Sequence, residues 1–257
     1  MKMNKARVAL VLVNIERLIE EPYASTVCYP MATKTELKKR LAELEKLGIV
    51  SVEFTGEKQA ATVHVLGKGC VGLVTIAYKN GQKVALKIRR TDADRANMRR
   101  EAEMLRKANV VAVGPRFLGV SKDFLVMQYV EGKLLPKWLE EKVSGERTKR
   151  VLLDVLEQCW KLDSAGLDHG ELSYAPKHVI VTAEDKAFIV DFESASVSRR
   201  PSNVTPICQF LFISEFSCKV TKRVGFRDRK TMIDALRRYK KMVNRENFDS
   251  VLESCGL

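Results

Sequence analysis

Apolar residues recur at helical spacing over residues 4–20, which predicts an amphipathic helix. A clearer one follows in "TKTELKKRLAELEKLG", residues 33–48. Leu37, Leu41, Leu44 and Leu47 line one face, Thr33 and Glu36 have capping-box spacing, and Gly48 stands where a C-cap belongs. Its Lys38, Lys39 and Arg40 offer contacts to nucleic acid, but the near-neutral charge balance of residues 1–60 favours solvated positions. "IVSVEF" predicts a strand and "TGEKQ" a turn. Residues 1–60 therefore read as a small helical, winged-helix-like unit.

From about residue 61 the period changes to that of strands: "ATVHVLG", "LVTIAYK" and "KVALKIR". Asn80-Gly81, between the last two, is a two-residue hairpin signal. "ADRANMRREAEMLRKAN" predicts a helix, "FLVMQYVEG" a strand, and "RTKRVLLDVLEQCWKLDSAG" a helix closed by Gly166. "HVIVTAEDKAFIVDF" predicts a second hairpin, and the remainder reads as helical. Strand-rich residues 61–130 followed by helix-rich residues 131–257 predict a bilobal α+β domain with a cleft between its lobes.

Composition changes this picture little. The 257 residues are 46% hydrophobic and 30% charged, as in soluble globular proteins. No apolar run approaches the ~20 residues of a membrane span. The apolar stretch Val8–Val13 is too short for a signal peptide, so a cytoplasmic protein is expected. Six scattered cysteines without a C-x-x-C pair argue against zinc and disulfides. Charge adds more. The net +13 is concentrated in residues 219–245, where eleven Lys/Arg face two Asp, whereas residues 1–60 balance to +2. Such a segment favours polyanions, RNA above all, although no aromatic ladder accompanies it and a solvated helix face is the plainer reading.

"GKGCVGLV" sets Gly67, Gly69 and Gly72 in G-x-G-x-x-G spacing. A dinucleotide site needs a helix directly after the glycines. Here strands follow, so the glycines cap a hairpin, as in a phosphate-covering loop. In "VALKIRR", alternation puts Val84, Leu86 and Ile88 on one face and Ala85 and Lys87 on the other. A small residue beside a lysine suits a flat base and a phosphate. The lysine needs a carboxylate partner. Glu101 shares the apolar face of its helix with Met104, Leu105 and Ala108, whereas Glu103 sits among Arg99, Arg106 and Lys107. Glu101 is therefore chosen.

Asp191 ends the strand of "AFIVDF" and suits a Mg²⁺ that bridges phosphates. "LDHGEL" places Glu171 where a carboxylate would orient an attacking hydroxyl and accept its proton. His178 then stands where a second metal ligand is usual. Imidazole binds Mg²⁺ poorly, so His178 serves Mn²⁺ or a phosphate, or Lys177 supplies the charge, or one metal suffices.

Together "LGKGCVGLV", "VALKIRR", "REAEMLRKAN", "VMQYVEG", "LDHGEL", "KHVIV" and "VDFESAS" resemble the atypical protein kinases of the RIO type and the predicted archaeal serine/threonine protein kinases. The resemblance implies a protein-kinase-like fold, ATP as nucleotide, and Lys87 paired with Glu101. It also implies a hinge at "MQYVEG", with Met127 and Tyr129 near adenine. Departures from the pattern are Glu171, His178 and the Glu193 of "DFE", and no A-P-E follows. Three functions compete: a serine/threonine protein kinase that also acts on itself, an ATP-binding or ATPase switch on RNA or ribosomal precursors, and a small-molecule kinase.

Overall fold

The computed structural model describes residues 11–225 and 228–257. They form two compact units. One comprises the residues up to Ala102 together with Arg116–Tyr129. The other comprises Glu103–Pro115 and Val130–Leu257.

In chain order the first unit holds β1 (Val11–Asn14), α1 (Tyr23–Val27), α2 (Lys34–Lys46), β2 (Ile49–Phe54), β3 (Lys58–Ala60), β4 (Val63–Val65), β5 (Gly67–Lys68), β6 (Gly72–Lys79) and β7 (Gln82–Arg89). It continues with the start of α3 (Arg99–Val110), then β8 (Phe117–Val120) and β9 (Phe124–Gln128). The main sheet runs β1-β2-β6-β7-β9-β8, with β5 added to β6. The β6–β7 hairpin turns at Asn80-Gly81, with Lys79 opposite Gln82. β2 pairs with β6 from Ile49 to Glu53, so β1 and β2 share the sheet of the later strands.

Two local expectations are corrected here. The helix expected over residues 4–20 is, in its described part, strand β1 followed by a 3-10 turn at Ile15–Ile19. Pairing of Val11–Asn14 with Ser51–Phe54 supplies backbone partners that outweigh the helical spacing. Residues 4–10 lie outside the described residues. The helix expected from Ala93 begins at Arg99, because the Asn97 side chain accepts the Arg99 N–H at 3.0 Å and opens the helix there.

α2 forms as its sequence dictates, with Thr33 Oγ1 accepting the Glu36 N–H at 3.2 Å. Leu44 is wholly buried, and Leu37, Leu41 and Leu47 pack on the core of Val52, Phe54, Leu73, Leu86, Ile88, Phe124 and Val126. Arg40 is not solvated. It is fully buried and donates to the carbonyls of Val27 and Arg89, each at 2.7 Å, and to Asp123 at 3.2 Å. Arg89 Nε donates to the same Asp123 oxygen at 2.6 Å. A buried guanidinium needs this number of acceptors. The network anchors α2 to the end of β7, two residues beyond Lys87.

The second unit holds the rest of α3, then β10 (Lys133–Leu134), α4 (Leu135–Trp138), α5 (Gly145–Ser164), β11 (Val179–Val181), β12 (Ala187–Ile189), α6 (Val204–Cys208), α7 (Ser217–Val224), α8 (Arg229–Lys241) and α9 (Arg245–Cys255). β10, β11 and β12 form an antiparallel sheet. α5 buries Val151, Leu152, Val155, Leu156, Cys159 and Leu162. It grips the β11–β12 hairpin through polar contacts. Asp154 accepts the Ala187 N–H and Gln158 donates to the Ala187 carbonyl, both at 2.9 Å, and Arg147 holds Asp185 with two bonds of 2.6 Å. No helix among the described residues is long and apolar enough to cross a membrane.

Candidate functional site

In the first unit the β5–β6 turn closes through the Gly69 N–H and the Gly72 carbonyl at 2.8 Å, and Gly67 lies opposite Val74. Gly72 is the tightest of these glycines. A Cβ there would lie 2.8 Å from the Ile88 carbonyl oxygen and 3.4 Å from Lys87 side-chain carbons, so any other residue would force the hairpin off Lys87.

Lys87 and Glu101 are both buried, and Lys87 Nζ donates to Glu101 Oε1 at 2.8 Å. Glu103 instead forms an exposed pair with Lys107. The sheet register aligns Lys87 with Val74, and Ala85 with Ile76 and Met127. Directly paired residues share a face. Val74, Ile76, Ala85 and Met127 therefore form an apolar patch around one lysine, on the face opposite the Leu86 and Ile88 core. Tyr129 follows β9, with Lys83 Nζ 5.9 Å from its ring centre.

In the second unit an antiparallel bridge joins Asp168 to Ser196, through backbone hydrogen bonds of 2.9 and 2.8 Å. This bridge lays "LDHGEL" along "DFESAS". Gly170, at φ 87°, makes the approach possible. A Cβ there would meet the Ser194 carbonyl at 2.9 Å and an Arg199 nitrogen at 2.5 Å. Glu171, His178 and Asp191 come together. His178 is buried, with Nε2 3.1 Å from Glu171 Oε2 and Nδ1 3.9 Å from Asp191 Oδ2, while each carboxylate side chain is 39% exposed. Ser194 Oγ donates to Glu171 Oε1. Asp191 is held at φ 71°, a left-handed conformation uncommon for a non-glycine residue.

Several residues that hold this arrangement escaped the sequence reading. Asn203 accepts the His169 N–H and donates to the Leu167 carbonyl at 2.8 and 2.7 Å. Asn203 is itself held by Asp163, which also accepts from Tyr239 at 2.9 Å. Burial pushes the Asp163 carboxyl up and these donors pull it back. The His169 ring bonds the Val190 carbonyl at 3.1 Å and meets Phe192 edge-on. Burial, helped by neighbouring His178, lowers His169 to about 4, so it is a neutral strut from the loop to the residue before Asp191. Arg199 donates to Asp168 at 2.8 Å and to the Ser194 carbonyl at 2.6 Å. Asp163 lies 40 residues from Asn203 and 76 from Tyr239, so no local motif links them.

The donor set suits a divalent cation. If Nε2–H serves Glu171, His178 Nδ1 presents a lone pair toward the Asp191 carboxylate. Nδ1 is buried and makes no hydrogen bond among the described residues. A ring nitrogen and a carboxylate oxygen facing each other at 3.9 Å are satisfied by a cation or a ring proton between them. Asp191 and Glu193 also bring carboxylate oxygens within 4.8 Å of one another. Mixed imidazole and carboxylate donors suit Mn²⁺ better than Mg²⁺.

Residues 70–205 match the RIO domain. The chain belongs to the RIO-domain family. Its α+β architecture is the kinase-like RIO fold, in keeping with the motifs that carried the resemblance. Relatives include the uncharacterized protein MJ1211 of Methanocaldococcus jannaschii, 27% identical over 119 residues, covering 45% of this chain and all of that protein. The KEOPS complex subunit Bud32 of Pyrococcus abyssi is 33% identical over 96 residues, 36% of this chain and 42% of its own. The serine/threonine-protein kinase PksC of Streptomyces coelicolor is 30% identical over 148 residues, half of this chain and 26% of its own. The RIO chain thus spans the whole of the first relative and under half of the other two. Family membership carries a kinase-like function.

Proposed function

We propose that this RIO protein transfers the γ-phosphoryl group of ATP to serine or threonine hydroxyls of a protein, its own included. The observation that carries transfer, rather than nucleotide binding alone, is the Glu171–His178–Asp191 constellation. Lys87, steadied by Glu101, neutralises phosphate oxygens under the glycine hairpin. The apolar patch of Val74, Ala85 and Met127 receives the base, with Tyr129 beside it. Glu171 orients the attacking hydroxyl and takes its proton. Asp191 and His178 would hold a divalent metal. A bound divalent cation supplies charge neutralisation at the transferring group. The test is incubation with γ-labelled ATP. Labelled phosphoprotein supports the proposal, whereas free phosphate alone points to an ATPase switch and labelled small molecules to a metabolite kinase.

The donor set leads to a prediction about the metal. Mn²⁺ should bind more tightly than Mg²⁺ in competition followed by electron paramagnetic resonance. His178→Asn should weaken Mn²⁺ roughly tenfold or more and narrow the preference. An unchanged ratio would remove His178 from the metal site.

α8 favours a polyanionic partner as a second feature of the protein. It exposes Arg229, Lys230, Arg237, Arg238, Lys240 and Lys241, of which Arg237 pairs with Asp234, while outside α8 Lys219 and Arg245 pair with Glu140 and Glu157. Two residues of the basic segment, 226 and 227, lie outside the described residues. If α8 binds RNA through about six phosphates, affinity should fall roughly 10³-fold between 50 and 200 mM salt. Binding that is absent, or flat with salt, leaves these charges as a solvated face.

A further inference from the structure

We propose that Ser194 is a phosphoacceptor of this protein, modified within its own chain. The inference rests on the kinase reading above and names a substrate of that same site. Its basis is which hydroxyl Glu171 holds. A general base must be within hydrogen-bond reach of the proton it removes. Glu171 Oε1 accepts a hydrogen bond from Ser194 Oγ, while its other oxygen faces His178.

The position follows from the fold. The Asp168–Ser196 bridge fixes the register of the two segments, and Gly170 lets Ser194 approach, its own missing Cβ lying 3.4 Å from the Ser194 Cβ. Ser194 is half-buried and three residues from Asp191, the proposed metal ligand, whereas neighbouring Ser196 is buried and bonded to Ser198.

The step balances within the site. A lone pair of Ser194 Oγ forms a bond to the γ-phosphorus, the bond from that phosphorus to the β,γ-bridging oxygen breaks, ADP leaves with its electron pair, and the Ser194 proton passes to Glu171. The product has a place to go. Phosphoserine carries about −1.5 to −2 charge at neutral pH and is repelled by Glu171. Arg199 already donates to the Ser194 carbonyl and lies half-exposed, so its guanidinium can take the new phosphate in charge-assisted bonds. Taking it would draw Arg199 off Asp168.

The full chain, dephosphorylated first, should be incubated with ATP and Mn²⁺ and its tryptic peptides sequenced by tandem mass spectrometry. Phosphate is expected on Ser194, at a first-order rate independent of protein concentration. Ser194→Ala should lose it, and Ser194→Thr should regain it as phosphothreonine. Phosphate transferred to other residues or to an added generic protein substrate, with Ser194 unmodified, overturns this inference and leaves the kinase reading standing. A rate at Ser194 that rises with protein concentration overturns the intramolecular route. ATP bound without any transfer overturns both.

Discussion

Glu171→Gln is expected to lower phosphoryl transfer by about 10²–10⁴-fold while leaving ATP affinity nearly unchanged. Glutamine keeps the size of the side chain and can still accept a hydrogen bond, but it removes the proton acceptor. It also removes the negative partner of His178 Nε2 at 3.1 Å. Transfer and affinity must therefore be measured together, by label incorporation and by calorimetry. Glu171→Asp is the sharper test. The Ser194 and His178 contacts are built to the reach of glutamate, and positioning errors of ~1 Å matter to catalysis. The aspartate variant should therefore be slower than the parent despite its similar basicity. Equal rates in the parent and the glutamine variant, with ATP bound in both, would move the reading to a nucleotide-binding switch.

The second large effect is at Lys87. Lys87→Ala is expected to abolish measurable transfer and also to destabilise the fold by about 3–5 kcal/mol, because it removes the buried ammonium 2.8 Å from the buried Glu101 carboxylate. The two losses can be separated. Lys87→Met combined with Glu101→Gln leaves no buried charge at the pair, so most of the stability should return while transfer stays at background. Thermal unfolding and label incorporation on the same preparations decide the matter. Recovery of activity in the double variant would mean that Lys87 is a structural lysine.

Much of this was legible in the residues alone. Periodicity separates Ala85 and Lys87 from Val84, Leu86 and Ile88 because side chains of a strand alternate, and the register of β6, β7 and β9 carries that alternation across the sheet. Asn80-Gly81 specified its hairpin because few dipeptides tolerate that turn. Glu101 stood out from Glu103 because a carboxylate on an apolar helix face needs a cation.

Other features were decided only in three dimensions. Residues 11–14 have an apolar spacing that fits a helix, and pairing with the distant strand residues Ser51–Phe54 determined otherwise. Arg40 sits in a run of basic residues that looks solvated. Three acceptors from distant segments, Val27, Arg89 and Asp123, make its burial favourable. Nothing near Glu171 in the sequence announces Asp163, Asn203, Tyr239 or Arg199, nor that Ser194 would be the hydroxyl on its carboxylate. Sequence determined which side chains can do chemistry, because that depends on residue type and local period. Tertiary structure decided which of them meet, because a hydrogen bond between segments tens of residues apart depends on where the intervening chain packs.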